Sequence, residues 1–184
     1  MGDTLLRDHP VARTHRSARE RRRVRRELVL RDRRSARLAE LVLIREVLGR
    51  AADLIDRGWL QDAWFSYRSP DGDVRVSYVP AGGTHGMTVL STCLVAAIRD
   101  AKGPHPTGGQ VVRRALELTW HTLHGDRNQP VGWCPAPDVR AMHLRDLTRW
   151  NDRPGRTASD VAALLEATMR AADGERRRIA ADCL

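Results

Sequence analysis

Arginine dominates the chemistry written in this chain. Arg19-Glu20-Arg21-Arg22-Arg23-Val24-Arg25-Arg26 packs six guanidiniums into eight residues, and Arg31, Arg33, Arg34 and Arg37 extend the run. Guanidinium forks bind phosphate oxygens in pairs, and a row of them displaces counterions from a nucleic-acid backbone. The residues expected to touch a polyanion are Arg19, Arg21, Arg22, Arg23, Arg25, Arg26, Arg33 and Arg34. An acidic protein partner and a solvated helix face are the other two readings of the same run. Of 32 basic residues only Lys102 is lysine, a ratio that high-GC codon usage produces. Codon usage explains the choice of arginine but not its clustering.

Other reactive groups carry weaker signals. Ala81-Gly82-Gly83-Thr84-His85-Gly86-Met87-Thr88 follows a strand pattern and precedes a helical one, the order of a phosphate-binding loop. The motif fails where it matters: its first glycine is Ala81, and Met87 stands where a lysine would reach the terminal phosphates. That argues against nucleotide hydrolysis. It leaves an anion at the helix start, or a glycine loop that turns the chain. His121 and His124, followed by Asp126, Cys134 and His143, hold zinc-ligating atoms in no recognised spacing. The expected roles are a C-terminal helix cation for His124 beside Gly125 and packing for the others. Cys93 falls on an apolar helix stripe and reads as a small core hydrophobe. Trp150-Asn151-Asp152-Arg153-Pro154-Gly155-Arg156-Thr157 is the most distinctive segment. It suits a helix-loop-helix corner, or a ligand-facing loop made by Asn151, Asp152 and Arg156. No catalytic residue, metal site or cofactor is expected.

The elements that must position these groups follow from length, charge and spacing. A chain of 184 residues, 41% hydrophobic and 30% charged, suits one soluble domain with appendages. Residues 1–40 hold 13 Arg against 6 acidic groups, whereas the other 144 carry 19 basic and 17 acidic groups. Basicity is therefore a property of residues 1–37, an arm expected to be helical in part or when bound. The single domain is expected over 38–174, with a basic tail over 175–184. No run approaches a membrane span, and the N-terminus lacks a secretory apolar stretch, so a cytoplasmic location is expected. Three cysteines, odd and dispersed, do not form a disulfide framework.

Within the domain, Leu41, Ile44, Leu48, Ile55 and Trp59 recur at helical intervals, and Gly58 stands where a left-handed residue would end that helix. Two β-forming runs around Pro70-Asp71-Gly72 predict a hairpin over 63–79. Helices are predicted over 88–101, 110–124 and 138–150. A last helix is opened by Thr157 with Asp160 in a capping box and stopped at Gly174. The fold class expected is mostly α with minor β: a compact helical domain of about five helices and one hairpin.

The sequence resembles a family of small actinobacterial and phage-borne domains of unknown function. Trp150-Asn151-Asp152, Gly155-Arg156-Thr157 and the apolar helix after them carry the resemblance, with Ser91 to Ile98 and residues 51–59. It covers residues 40–173, leaves the arginine arm outside, and implies one domain in a bacterial or phage cytoplasm with no assigned activity.

The reading that follows is a non-enzymatic binding protein whose arm contacts nucleic acid electrostatically and without sequence preference. A second reading is a small-molecule or anion-binding domain, or a small enzyme. It would use Gly82, Gly83 and His85 with Asn151, Asp152 and Arg156, with His85 as acid or base. A third makes the arm a docking element for an acidic protein, a second copy or a larger complex.

Overall fold

A computed structural model describes residues 18–78, 88–101, 108–125 and 136–181. The described residues form α1 (Ala18–Arg57), β1 (Phe65–Arg68), β2 (Val74–Ser77), β3 (Thr88–Thr92), α2 (Leu94–Asp100), α3 (Gly108–His124), α4 (Pro137–Asn151) and α5 (Ala158–Ala181). The protein is mostly helical with a minor antiparallel sheet. It divides into two compact units, one ending at Ala36 and one beginning at Arg37. No helix among the described residues is long and apolar enough to cross a membrane.

In the second unit, α1 acquires the apolar stripe its spacing predicts. Leu41, Ile44, Val47, Leu48, Ala51 and Ile55 are buried. They join one core with Val111, Val112, Ala115 and Leu118 of α3, Leu147 of α4, and Val161 and Leu165 of α5. The short α2 is buried at every position from Leu94 to Ile98. A helix apolar all round belongs inside, not on a surface.

The sheet has the order β2-β1-β3, antiparallel throughout. Its hairpin is the predicted one, closed by the Ser69–Asp73 turn, where Gly72 takes a φ of 91° that a side chain would resist. The third strand differs from expectation. Residues 88–92 fit a helical stripe through Leu90 and Cys93, but Thr88, Val89 and Thr92 are β-branched, and β1 offers them a pairing edge. The helix therefore starts at Leu94.

Two glycines also behave differently from their sequence reading. Gly58 is not left-handed: the positive-φ glycines among the described residues are Gly72 and Gly155. A Cβ on Gly58 would run into the Leu90 carbonyl oxygen and lie 3.0 Å from Ser91 Cβ. Its bareness lets the chain approach β3, where Thr92 N–H donates to Gly58 O at 2.9 Å and Leu60 N–H to Thr92 O at 3.3 Å. Gly174 does not stop α5. Arg178 donates to Glu175 at 2.8 and 3.0 Å beyond it, and Arg45 donates to Asp173 at 3.1 Å just before it. These pairs carry the helix across a residue whose intrinsic cost is only about 1 kcal/mol.

Candidate functional site

The first unit, taken by itself, is a helix with one chemical message. Its described residues, 18–36, contain nine arginines and three acidic residues. Of the arginines only Arg34 is half-buried; Arg19, Arg21, Arg22, Arg23, Arg25, Arg26, Arg31 and Arg33 are exposed. At 3.6 residues per turn Arg19, Arg22, Arg23, Arg26 and Arg33 fall within an arc of about 120° and span about 21 Å along the axis. Arg21 and Arg25 lie on the other side of the same helix. Arg23 donates to Glu27 at 2.9 Å across one turn, so that carboxylate trims the stripe without breaking it. Arg19, Arg22, Arg23 and Arg26 border one shallow surface hollow with Glu27 and Leu30.

The Trp150–Thr157 segment forms a corner in which Asn151 is buried and Asp152 and Arg156 are half-buried. Asn151 is fully buried, and its amide makes all four hydrogen bonds an asparagine can make. Trp59 Nε1 and the Leu94 backbone N–H donate to Oδ1 at 2.9 and 3.1 Å. Nδ2 donates to Leu60 O at 3.2 Å and Asp152 Oδ1 at 2.7 Å. The bond to Leu94 has a particular purpose: Cys93 at the N-cap of α2 supplies no side-chain cap. Asn151 thus caps α2 from another helix. Asp152 Oδ1 also accepts from Asp62 N–H at 3.1 Å, holding Asp62 at a φ of 58°. Gln61 Nε2 donates to the carbonyls of Asn151 and Arg153, each at 2.9 Å. Arg156 lies over the Trp150 ring, 4.0 Å from its centroid, and donates through Nε to Trp150 O at 3.3 Å. The chain turns at Gly155, φ 81°, into the predicted box. Thr157 N–H donates to Asp160 Oδ2 at 2.9 Å, and Asp160 N–H to Thr157 Oγ1 at 3.2 Å. The Thr157 backbone and hydroxyl, with Arg156 beside them, hold the Asp160 carboxyl below its ordinary range.

Gly82, Gly83 and His85 lie outside the described residues. Of the six residues singled out for a ligand loop, the structure therefore places Asn151, Asp152 and Arg156, and brings these three together at the corner.

A second polar cluster escaped the sequence reading. Glu117 of α3 and His143 of α4 are both buried, with His143 Nδ1 2.8 Å from Glu117 Oε2. The His143 ring stacks on Trp120, centroids 3.6 Å apart at 15°. His124 stacks on the same indole at 4.7 Å, and its Nδ1 lies 3.1 Å from Trp120 O, one of the last carbonyls of α3. Trp120 Nε1 donates to Asp146 at 3.2 Å. The clue was Glu117 itself: a carboxylate between Leu116 and Leu118, beside the inward Thr119, needs a partner if buried. On α4 His143 is buried, whereas its neighbour Met142 is exposed. Asp126 and Cys134 lie outside the described residues, within which no three potential ligands gather as a metal would require. Cys93 is buried, and burial pushes its thiol pKa up, which suits packing better than nucleophilic attack.

The chain belongs to a family of unknown function, DUF6197, which covers residues 40–171. No curated protein matches it, and no solved structure does.

Proposed function

We propose that this member of the DUF6197 family is a non-enzymatic binding protein that holds nucleic acid through the arginine stripe of α1, in a cytoplasmic setting. The observation that supports this reading is the exposed row Arg19, Arg22, Arg23, Arg26 and Arg33, opposed by few carboxylates. A helix face of this length offers forks to successive phosphates, and the run matches no recognised base-reading motif. Binding is therefore electrostatic and indifferent to sequence. The matched family region begins at residue 40, so the function assigned to the arm is not a property of the matched region.

The magnitude follows from the stripe. Five phosphate contacts give a slope of about −4.5 in log K against log salt, hence about a 500-fold loss of affinity between 50 and 200 mM salt. Fluorescence anisotropy with a labelled mixed-sequence duplex tests this on the full chain. Replacing Arg19, Arg22, Arg23, Arg26 and Arg33 by Gln, which keeps helix propensity, is expected to flatten the slope and weaken binding at least 100-fold at 50 mM salt. An unchanged slope overturns the proposal. So does a parent chain that prefers polyglutamate to the duplex, which would assign the stripe to an acidic protein.

A further inference from the structure

We propose that the cavity between α2, α3 and α4 is a binding site for a small amphipathic anion: an aliphatic body carrying a carboxylate or phosphate head. The site lies wholly within the second unit and does not depend on the reading of the arginine arm. The cavity holds about 490 Å³, within the range of small-molecule sites.

The lining names the occupant's chemistry. Val112, Leu116, Leu144 and Leu147 form an aliphatic wall. Among the described residues, the His143 imidazole is the one aromatic ring in the lining. Arg113 of α3 and Arg140 of α4 bring positive charge to the lining, with Arg99 and Asp100 at the end of α2. The Arg99 guanidinium lies over the Trp64 ring, 5.2 Å from its centroid, and Trp64 is not a lining residue. The other acidic group in the lining, Glu117, is buried and committed to His143. That pair places a hydrogen-bonding imidazole in an otherwise apolar wall, oriented through its Nδ1 by the carboxylate and by the stacked indole of Trp120. An aliphatic acid fits each part: the body against the leucines and valine, the head at the arginines, and a polar substituent at His143.

Backbone amide NMR of the full chain tests the site with octanoate and octyl phosphate as probes, and with octanol and inorganic phosphate as half-probes. Saturable shifts at Gly109, Arg113, Ala141 and His143 are expected with octanoate or octyl phosphate, and the tighter of the two identifies the head group. Octanol and inorganic phosphate are each expected to bind at least tenfold more weakly. Gly109→Phe adds bulk at a lining position where no atom lies within 4 Å of a Cβ. It is expected to abolish the shifts while the chain stays folded. Arg113→Ala, at an exposed position, is expected to weaken binding about tenfold. Absence of shifts with both probes overturns the proposal. So do octanol binding as tightly as octanoate, and parent affinity in Gly109→Phe.

Discussion

Asn151→Ala is the substitution whose cost the structure specifies best. The amide it removes satisfies Trp59 Nε1, Leu94 N–H and Leu60 O, at 2.9, 3.1 and 3.2 Å, with Asp152 as the fourth partner. Leu94 is fully buried, so its N–H finds no water in exchange, and each buried group left unpaired costs about 1–3 kcal/mol. Trp59 is half-buried and belongs at the low end of that range. The sum is about 4 kcal/mol, a large part of the 5–15 kcal/mol typical of a whole domain. For a chain of this length it lowers the melting temperature by about 8–16 °C. Urea unfolding followed by circular dichroism, with the thermal melt beside it, measures both quantities. Asn151→Asp is the sharper companion. It keeps the acceptors for Trp59 and Leu94, but loses the donor to Leu60 and sets a second carboxylate against Asp152. It is expected to be unstable at neutral pH and to recover as the medium is acidified. A melting temperature for Asn151→Ala within about 2 °C of the parent would refute the idea that this side chain caps α2 and ties the corner.

Gly58→Ala places a methyl group against the Leu90 carbonyl and is expected to cost about 1–3 kcal/mol in urea unfolding; an unchanged midpoint would mean the β3 approach is not tight. Glu117→Leu strands the buried His143 Nδ1 and is expected to cost about 2–4 kcal/mol. Adding His143→Phe should return most of that loss, a non-additivity that a double-mutant cycle reads directly. The Asp160 carboxyl is lowered chiefly by the Thr157 backbone N–H and then by the Thr157 hydroxyl. Its folded pKa lies below its unfolded one, so its contribution is complete above the ordinary carboxylate range and vanishes as pH falls through the folded value. Asp160→Asn should therefore melt below the parent at pH 6, with the gap closing below about pH 4.

The parts of this protein visible in its sequence are those whose signal is local. Leu41 to Ile55 announce a helix face because every third or fourth residue repeats the message. Thr157 and Asp160 announce a cap because the partners stand three residues apart. The hairpin is legible in Pro70-Asp71-Gly72 for the same reason. What escaped notice depends on distance along the chain. β3 exists because β1 offers it hydrogen bonds, and Leu90 and Cys93 fit a helix stripe equally well. Asn151 stood out by its neighbours, yet its partners Trp59, Leu60 and Leu94 are 57 to 92 residues away. Glu117 and His143 are 26 residues apart on separate helices, and nothing near either names the other. The arginine stripe needed no partner to be seen, since unbalanced charge is a property of the segment itself.

The Asn151 corner also constrains anyone who would cut or extend this fold. It gathers the strand entry at residues 59–62, the first turn of α2 and the end of α4 into one polar knot, so fragments divided between them would each expose half of an unsatisfied cluster. The tip of the hairpin is exposed from Pro70 to Val76, and its bonds among the described residues run within the hairpin. A reporter or affinity peptide inserted between Asp71 and Gly72 would load that tip and leave the knot shut, whereas even a single residue added between Trp59 and Asp62 would pull it open.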